Sequence, residues 1–460
     1  MGINLLSVVR CRRIWLSTHD LGVLLVILDG LGDIGSAELG GKTPLESIEQ
    51  RNLQRFKRMG AVGLIDPISP GIPPGSDTSH LSLFGYDIST EYPGRGPFEA
   101  TGNGIDLREG EIAFRANFAT VELKEGRAYV VDRRAGRLPT EVTARLVKIL
   151  NDECWQVGDA SFRLYPALEH RAVLVVSGAG LSHQVTDNDP HATGIPLLEC
   201  LPLEEASDKK GAERLSNLIN SWECKCIKVL ERAEENAERR EAGLLPGNAV
   251  LLRSPGVMRR MQPFKERWGF DAACVAGGKL YKGVAKMLGM DIVEVPGANG
   301  MPDTDILAKI KASIKLFDDH DFVYLHLKGT DVCSHKGDAK GKADFLRRFD
   351  DSLEAIDSDF LSANVLAVTG DHSTPCNRAM HSGDPVPLLL AGKNVRIDRV
   401  KTFSELASLG GGIGRILGKD LMPLLLDASG RTVELGTRPT PRKLNFVPKD
   451  LFPLDMRKYT

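Results

Sequence analysis

The sequence predicts an α/β fold in which a mostly parallel sheet is flanked by helices. Short, mainly apolar runs recur along the chain at 23–28 (VLLVIL), 322–327 (FVYLHL), 364–369 (NVLAVT) and 386–390 (VPLLL). Helical patterns lie between them, for example at 344–360. Polar residues follow several of the runs directly. Strands that alternate with helices are typical of a parallel sheet, which places its ligands at the carboxyl ends of the strands.

The composition is that of an ordinary globular protein and excludes several other classes. The 460 residues carry a formal net charge of -2, and 42% of them are hydrophobic. A chain of this length buries a large core without disulfides. The nearly neutral charge argues against nucleic acid or an acidic membrane as a partner. No apolar run reaches about 18 residues, so we expect no membrane-spanning helix.

The eight cysteines do not form a disulfide or zinc framework. Only Cys224 and Cys226 lie close together, as C-x-C, and no second pair completes a metal site. We therefore interpret the cysteines as free thiols and expect the protein in the reducing cytoplasm. Association of identical chains into a homo-oligomer stays open.

Changes in pattern along the chain predict a discontinuous core with an inserted domain. Residues 21–110 and 245–440 carry the strong α/β pattern. Between them, at 111–244, the strands are shorter and more amphipathic, which predicts a separate α+β domain. Residues 1–20 are interpreted as an N-terminal extension and residues 441–460, rich in Pro and basic residues, as a tail.

Residues that bind hard metal ions lie at or just beyond the ends of predicted strands. Three are carboxylates and three are imidazoles: Asp29, Asp331, Asp371, His335, His372 and His381. Such a set can hold two divalent cations. Carboxylates suit Mg²⁺ or Mn²⁺, and imidazole also suits Mn²⁺, Zn²⁺ or Co²⁺. A pair of metal ions stabilises both the attacking and the leaving oxygen of a phosphoryl transfer.

Ser76 is the candidate nucleophile. Gly75 lets the chain turn, and Ser76 then precedes a predicted helix at 77–84, whose N–H groups and dipole favour a phosphate. Coordination to a metal lowers the pKa of a serine hydroxyl. Taken alone, Ser76 could equally be a helix cap and Asp331 with His335 a surface pair. The complete set of ligands, in this order, favours phosphoryl transfer over these alternatives.

The motifs around these residues resemble the archaeal-type 2,3-bisphosphoglycerate-independent phosphoglycerate mutases of the alkaline phosphatase superfamily. The resemblance spans residues 23–421. It rests on the segments 25–33 (LVILDGLGD), 75–87 (GSDTSHLSLFGYD), 94–100 (GRGPFEA), 113–121 (AFRANFATV), 132–137 (DRRAGR), 327–331 (LKGTD), 368–376 (VTGDHSTPC) and 381–387 (HSGDPVP).

The resemblance implies an alkaline-phosphatase-like core with an inserted lid. It further implies interconversion of 3-phosphoglycerate and 2-phosphoglycerate in glycolysis and gluconeogenesis, with a small phosphorylated substrate as the partner. Ser76 would accept the phosphoryl group. One metal would be held by Asp29, Ser76, Asp371 and His372, and the other by Asp331, His335 and His381.

A mutase must retain its dephosphorylated intermediate, and this requires cationic side chains that bind carboxylate and phosphate. We predict substrate binding by Arg133, Arg134, Asp132, Arg115, Lys328 and His183. The triplet 132–134 is the first choice for glycerate, and His183, in the segment 182–191 (SHQVTDNDPH), is a candidate for proton transfer between the glycerate hydroxyls. A solvated cluster of charges is the alternative.

Two other functions stay open. The same fold could carry a phosphatase, a phosphopentomutase or a relative of homoserine kinase, and the inserted domain decides among these. The chain could also be an inactive metal-binding relative. The complete ligand set argues against the second alternative, because loss of function erodes ligands.

Overall fold

The computed structural model describes residues 21–436, 444–447 and 454–459, and these fall into two compact units. The first unit comprises the chain up to Tyr92 and from Met261 onward, and the second runs from Pro93 to Arg260. The predicted N-terminal extension and half of the predicted tail lie outside the described residues.

The described residues contain strands that alternate with helices in much of the first unit and follow one another directly in much of the second. The strands are β1 (Gly22–Leu28), β2 (Gly60–Asp66), β3 (Ile112–Lys124), β4 (Arg127–Asp132), β5 (Gln156–Val157), β6 (Ala160–Pro166), β7 (Arg171–Ser177), β8 (Ala249–Val257), β9 (Ala272–Val275), β10 (Asp291–Ile292), β11 (Phe322–Leu327), β12 (Asn364–Thr369), β13 (Val386–Ala391) and β14 (Gly414–Leu417).

The α-helices are α1 (Pro44–Ser47), α2 (Asn52–Lys57), α3 (Ser76–Leu83), α4 (Ile88–Glu91), α5 (Arg95–Gly102), α6 (Thr140–Glu153), α7 (Lys209–Glu231), α8 (Glu234–Glu241), α9 (Phe264–Trp268), α10 (Lys279–Met287), α11 (Ile306–Lys315), α12 (Gly329–Ser334), α13 (Ala339–Ser352), α14 (Ser358–Ala363), α15 (Glu405–Ser408) and α16 (Leu421–Ala428). Each helix within the described residues is too short or too polar to cross a membrane.

The first unit is built on an eight-stranded sheet in the order β10-β9-β11-β1-β12-β13-β2-β14. Every pairing is parallel except those of β13, which runs antiparallel to both β12 and β2. Every residue of β1, β11 and β12 is buried. Strands covered on both faces lose the alternation of polar and apolar residues, which explains why these segments read as continuous apolar runs.

The second unit has its own antiparallel sheet, in the order β4-β3-β7-β6-β5, with β8 also paired to β3. Its core contains Phe114 and Phe162 from the sheet, together with Leu146 of α6 and Trp222 of α7. The Trp222 indole stacks on Phe162 with ring centroids 5.5 Å apart. The sheet and the two helices therefore form a hydrophobic core within this unit.

The second unit extends beyond the inserted domain predicted at 111–244. It gains α5, which packs against β3, and β8, which pairs with β3 in antiparallel register. The apolar run at 249–252 predicts a buried strand, but this pattern does not show to which of the two sheets the strand belongs.

The helix predicted at 344–360 is interrupted. α13 ends at Ser352, and α14 begins at Ser358. The Asp357 side chain accepts a hydrogen bond from the Phe360 N–H and caps α14. Apolar residues keep their helical spacing across this break, so the prediction of one continuous helix was wrong.

Candidate metal centre and nucleophile

Three buried carboxylates meet at the carboxyl end of the sheet of the first unit. Asp29 follows β1 directly, and Asp371 lies two residues beyond the end of β12. Asp331 lies in α12, the short helix after β11. Because β11, β1 and β12 are parallel neighbours, these ends lie side by side. The sheet thus gathers residues that are more than 300 positions apart in sequence.

The first cluster consists of Asp29, Asp371 and His372, whose ligand atoms lie within 4.8 Å of one another. His372 Nε2 lies 3.5 Å from Asp29 Oδ1 and 3.3 Å from Asp371 Oδ2. Within the part of the chain that the structure describes, these two buried oxygens have no hydrogen-bond partner. Buried charged oxygens without partners are costly, so the cluster is suited to a bound cation.

The second cluster consists of Asp331, His335 and His381. Asp331 Oδ1 lies 3.2 Å from His335 Nε2 and 3.7 Å from His381 Nε2. The His381 ring stacks on the ring of His372 with centroids 3.6 Å apart. The two clusters are therefore adjacent.

The two histidines of the second cluster direct Nε2 toward it. Nδ1 of His335 lies 2.8 Å from the Ala379 carbonyl oxygen, and Nδ1 of His381 lies 2.8 Å from that of Pro74. Carbonyl oxygens only accept, so each Nδ1 carries a proton. In a neutral ring Nε2 then bears a lone pair that faces the Asp331 carboxylate. Acceptors that face one another require positive charge between them, and a divalent cation supplies it. In the metal-free site the hydrogen bond to Asp331 raises the pKa of His335, so a second proton on that ring also supplies positive charge.

Ser76 lies at the first cluster. It is the first residue of α3, and its Oγ lies 3.1 Å from His372 Nε2. Gly75 before it has the extended backbone of a helix N-cap. The first N–H groups of a helix have no partner within the helix, so a phosphate on Ser76 would lie beside hydrogen-bond donors.

Three side chains surround the second oxygen of Asp29, and two of them, Lys328 and Tyr281, donate hydrogen bonds to it. Lys328 Nζ lies 3.0 Å from Oδ2, His326 Nε2 lies 3.3 Å from it, and the Tyr281 hydroxyl donates to it. Lys328 also lies 2.7 Å from Asp331 Oδ2. These contacts fix the carboxylate and leave Oδ1 for a ligand.

The electrostatics of the site keep Asp29 and His372 in metal-binding form, whereas without a bound cation they favour the protonated form of Asp371. Burial raises the pKa of Asp29, but the Lys328 charge and the neighbouring His326 and His372 rings outweigh it, so this pKa lies well below its ordinary value. Burial and the Asp29 charge raise the pKa of Asp371 well above its ordinary value. Burial lowers the pKa of His372 to about 3, so the ring is neutral at physiological pH.

A buried lysine ties together the two loops that carry the first cluster. Lys342 of α13 is fully buried, and its Nζ lies 2.8 Å from Asp33 Oδ2. The same ammonium donates to the backbone oxygens of Gly32 and Thr374 at 3.3 and 3.2 Å. The Asp33 carboxylate accepts in turn from the N–H of Cys376. The loops after β1 and β12 are thus joined through one ion pair.

We expect Lys342→Met to lower the free energy of unfolding by about 3–5 kcal/mol, because it leaves the buried Asp33 carboxylate without its cation. Urea denaturation followed by circular dichroism measures this loss. Lys340→Met, on the exposed side of the same helix, is the matched control and should stay within about 0.5 kcal/mol of the wild type. Equal stability of the two variants would contradict the role given to Lys342.

Comparisons with known proteins identify the family of this chain. The family model described as 2,3-bisphosphoglycerate-independent phosphoglycerate mutase matches residues 58–236. A protein of that name from Pyrococcus abyssi is 45% identical over 415 residues, which cover 90% of this chain and 98% of the relative. The chain belongs to this family. The resemblance drawn from the sequence is confirmed.

Two solved structures support the fold of this phosphoglycerate mutase family member. A protein from Pyrococcus horikoshii superposes with a TM-score of 0.77 at 36% identity, covering 91% of this chain and all of the other. The cofactor-independent phosphoglycerate mutase from Thermoplasma acidophilum gives a TM-score of 0.65 at 36% identity, covering 89% of this chain and all of the other. The predicted α/β class is confirmed.

A phosphoglycerate mutase binds an anionic substrate, and the second unit contains a cationic group of two arginines around Asp189. The Arg133 guanidinium binds this buried carboxylate with two hydrogen bonds of 3.0 and 2.7 Å. Arg253 lies 3.2 Å from the same carboxylate. Two guanidinium groups thus share one carboxylate, and the group keeps a net positive charge.

The other predicted substrate-binding residues have different surroundings. Asp132 accepts hydrogen bonds from the N–H groups of Arg134 and Gly136 and so shapes the turn after β4. Arg115 pairs with Glu99 at 3.2 Å. Lys328 lies in the first unit at the carboxylates of the metal clusters, as described above.

His183 and the residues near it remain within the second unit. Burial and the Arg259 charge lower the pKa of His183. Nearby in sequence, Asp187 accepts from the Ser254 N–H and lies 3.4 Å from His191 Nε2. These groups are polar and partly exposed, and the role of His183 in proton transfer stays a prediction.

Sequence reasoning missed several residues that contact the functional groups. Asp189 and Thr374 lie inside segments that were singled out for other residues, so they could have been found. Tyr281, Lys342 and Arg253 lie in elements without a recognised motif, and only tertiary packing brings them to their partners.

Proposed function

We propose that the chain interconverts 3-phosphoglycerate and 2-phosphoglycerate through a phosphoserine at Ser76, in glycolysis and gluconeogenesis. The observation that carries the proposal is the Ser76 hydroxyl, 3.1 Å from His372 Nε2 in the first of two adjacent metal-binding clusters. Family membership supports the choice of substrate. A cytoplasmic location is part of the proposal, supported by the free thiols of the seven cysteines within the described residues.

The side chains of both clusters fit divalent cations. The first ion would be held by Asp29, Ser76, Asp371 and His372, and the second by Asp331, His335 and His381. Mixed carboxylate and imidazole ligands favour Mn²⁺ or Mg²⁺ and also accept Zn²⁺ or Co²⁺. When bound, such ions lower the pKa of a serine hydroxyl and offset the charge of a phosphoryl group.

The reaction consists of two phosphoryl transfers. In the first, a bond forms between Ser76 Oγ and phosphorus while the bond from phosphorus to O3 of the substrate breaks. Ser76 loses its proton, and O3 of the glycerate gains one. In the second, a bond forms between O2 of the same glycerate and phosphorus while the bond from phosphorus to Ser76 Oγ breaks. O2 loses its proton, and Ser76 Oγ gains one, so the Ser76 hydroxyl is restored. The N–H groups at the start of α3 stabilise the transferred oxygens.

A mutase differs from a phosphatase in keeping glycerate bound and water excluded between these transfers. We propose that the second unit is the substrate-binding lid and that Arg133 and Arg253 bind the glycerate carboxylate. Guanidinium groups bind carboxylates through two parallel hydrogen bonds. The buried Asp189 orients both arginines, which reduces the entropy lost on binding.

We expect Arg133→Ala to raise KM for 3-phosphoglycerate about 10- to 100-fold, because one charge-assisted hydrogen-bonded contact contributes about 1.5–3 kcal/mol. Steady-state kinetics in an enolase-coupled assay measures the change. Arg127→Ala is the control, because Arg127 lies exposed at the other end of β4. An unchanged KM in Arg133→Ala would contradict the proposal that Arg133 binds the glycerate carboxylate.

The proposed function is tested by supplying the purified chain with 3-phosphoglycerate and Mn²⁺ in the absence of 2,3-bisphosphoglycerate. We expect 2-phosphoglycerate to form without release of inorganic phosphate. Release of phosphate without 2-phosphoglycerate would identify a phosphatase. Full metal occupancy without any turnover would identify an inactive relative, and either result would contradict the proposal.

A further inference from the structure

The hydroxyl of Thr374 contacts one ligand from each metal-binding cluster. Its Oγ1 lies 3.0 Å from His372 Nδ1 and 3.3 Å from Asp331 Oδ1. The side chain is fully buried. Thr374 has no part in the metal or substrate assignments above, yet it joins the two clusters.

The proton positions in this chain of contacts follow from what each group can donate. A threonine hydroxyl has one proton, and the ionised Asp331 carboxylate can only accept it. Thr374 Oγ1 then has only lone pairs for His372, so His372 Nδ1 donates. In the neutral ring, the lone pair is on Nε2, which faces Ser76 Oγ at 3.1 Å and the two unpartnered carboxylate oxygens.

The other two histidines also carry their proton on Nδ1, but there a backbone carbonyl accepts it. His335 and His381 donate from Nδ1 to the backbone carbonyls of Ala379 and Pro74. All three rings therefore direct Nε2 into the site. In His372 alone of these three, a side chain sets the proton position, so a substitution can remove it.

We propose that Thr374 is a positioning residue that fixes the tautomer of His372 and holds Asp331 beside it, so that both metal sites form together. The inference rests on the proposed metal-dependent function. Metal-binding histidines require such an acceptor on the second ring nitrogen, and its loss typically weakens metal binding about 10- to 100-fold.

The surroundings of Thr374 keep the hydroxyl in place. Its N–H donates to the Gly32 carbonyl at 3.0 Å, and its carbonyl accepts from Lys342 Nζ at 3.2 Å. Gly30 has a φ of +65°, and a Cβ at that position would lie 2.7 Å from Thr374 Oγ1. Glycine at position 30 therefore provides both the turn and the space for this hydroxyl.

The first test is nitrogen-15 NMR of the histidine rings in the metal-free protein, with His372→Gln used to assign the signal. We expect the His372 proton on Nδ1 in the wild type and in Thr374→Ser. In Thr374→Val it should move toward Nε2, where carboxylate oxygens accept it. A wild-type ring protonated on Nε2, or no change in Thr374→Val, would overturn the proposal. The NMR measurement does not depend on turnover, so the proposal about Thr374 can fail while the proposed function stands.

The second test is calorimetric titration of the metal-free protein with Mn²⁺. Thr374→Val should bind about 10- to 100-fold more weakly than the wild type, and Thr374→Ser should restore the affinity. Thr369→Val is the control, because this buried threonine donates to the Pro387 carbonyl outside the clusters. Wild-type affinity in Thr374→Val, or an equal loss in Thr369→Val, would overturn the proposal.

Discussion

Ser76→Ala is expected to lose mutase turnover by at least about 10⁴-fold, because removal of a nucleophile leaves only binding and electrostatic stabilisation. The hydroxyl lies at the first cluster, 3.1 Å from His372 Nε2, and within the proposed mechanism no other group accepts the phosphoryl. The enolase-coupled assay measures the loss. Binding of 3-phosphoglycerate, followed by calorimetry, should persist, since the other side chains of the site remain.

Ser79→Ala is the matched control for this substitution. Ser79 lies in the same helix and is also buried, but its hydroxyl donates to the backbone oxygens of Gly75 and Ser76. We expect it to lose at most about 10-fold in turnover, through a small shift of α3. Comparable losses in both variants would show that helix geometry, and not the Ser76 hydroxyl, limits the reaction.

Removal of divalent metal is expected to reduce turnover by at least about 10³-fold, since such ions supply several kcal/mol of charge stabilisation in phosphoryl transfer. Without them, the buried carboxylates of Asp29, Asp331 and Asp371 lie in two adjacent clusters, and among the described residues Lys328 is the one lysine or arginine that forms an ion pair with them. Dialysis against EDTA, followed by the coupled assay, measures the loss. Added Mn²⁺ should restore the activity.

The metal should also stabilise the folded chain, so the melting temperature provides a second measurement of metal dependence. A ligand at 100 times its dissociation constant raises the free energy of unfolding by about 2.7 kcal/mol per site. Mn²⁺ should therefore raise the melting temperature of the metal-free wild type, and it should do so less in Asp331→Asn. EDTA presaturated with Mn²⁺ is the control. Activity that survives complete metal removal would refute metal dependence.

Much of the first unit could be predicted because its chemistry is local in sequence. Strands buried on both faces appear as apolar runs, and the ligands directly after them must meet when those strands are parallel neighbours. For this reason Asp29, Asp331 and Asp371 could be grouped from sequence alone, and the structure places Asp29 and Asp371 in one cluster with His372 and Asp331 in the other cluster.

The remaining contacts depend on packing that local patterns do not encode. Lys342 reaches Asp33, and Tyr281 reaches Asp29, from helices distant in sequence. The apolar run of β8 fits a strand in either sheet, and only its antiparallel pairing with β3 assigns it to the second unit. From the sequence alone, a residue such as Lys342 is interpreted as a surface lysine, because its buried partners are not visible there.

The central claim is that phosphoryl transfer passes through Ser76, and the most direct test is to quench the enzyme during turnover of 3-phosphoglycerate. Digestion and mass spectrometry then locate any covalent phosphate. We expect phosphate on the peptide containing Ser76, absent before substrate is added and absent in Ser76→Ala. Formation of 2-phosphoglycerate without phosphate on Ser76, or with phosphate on another residue, would contradict the account.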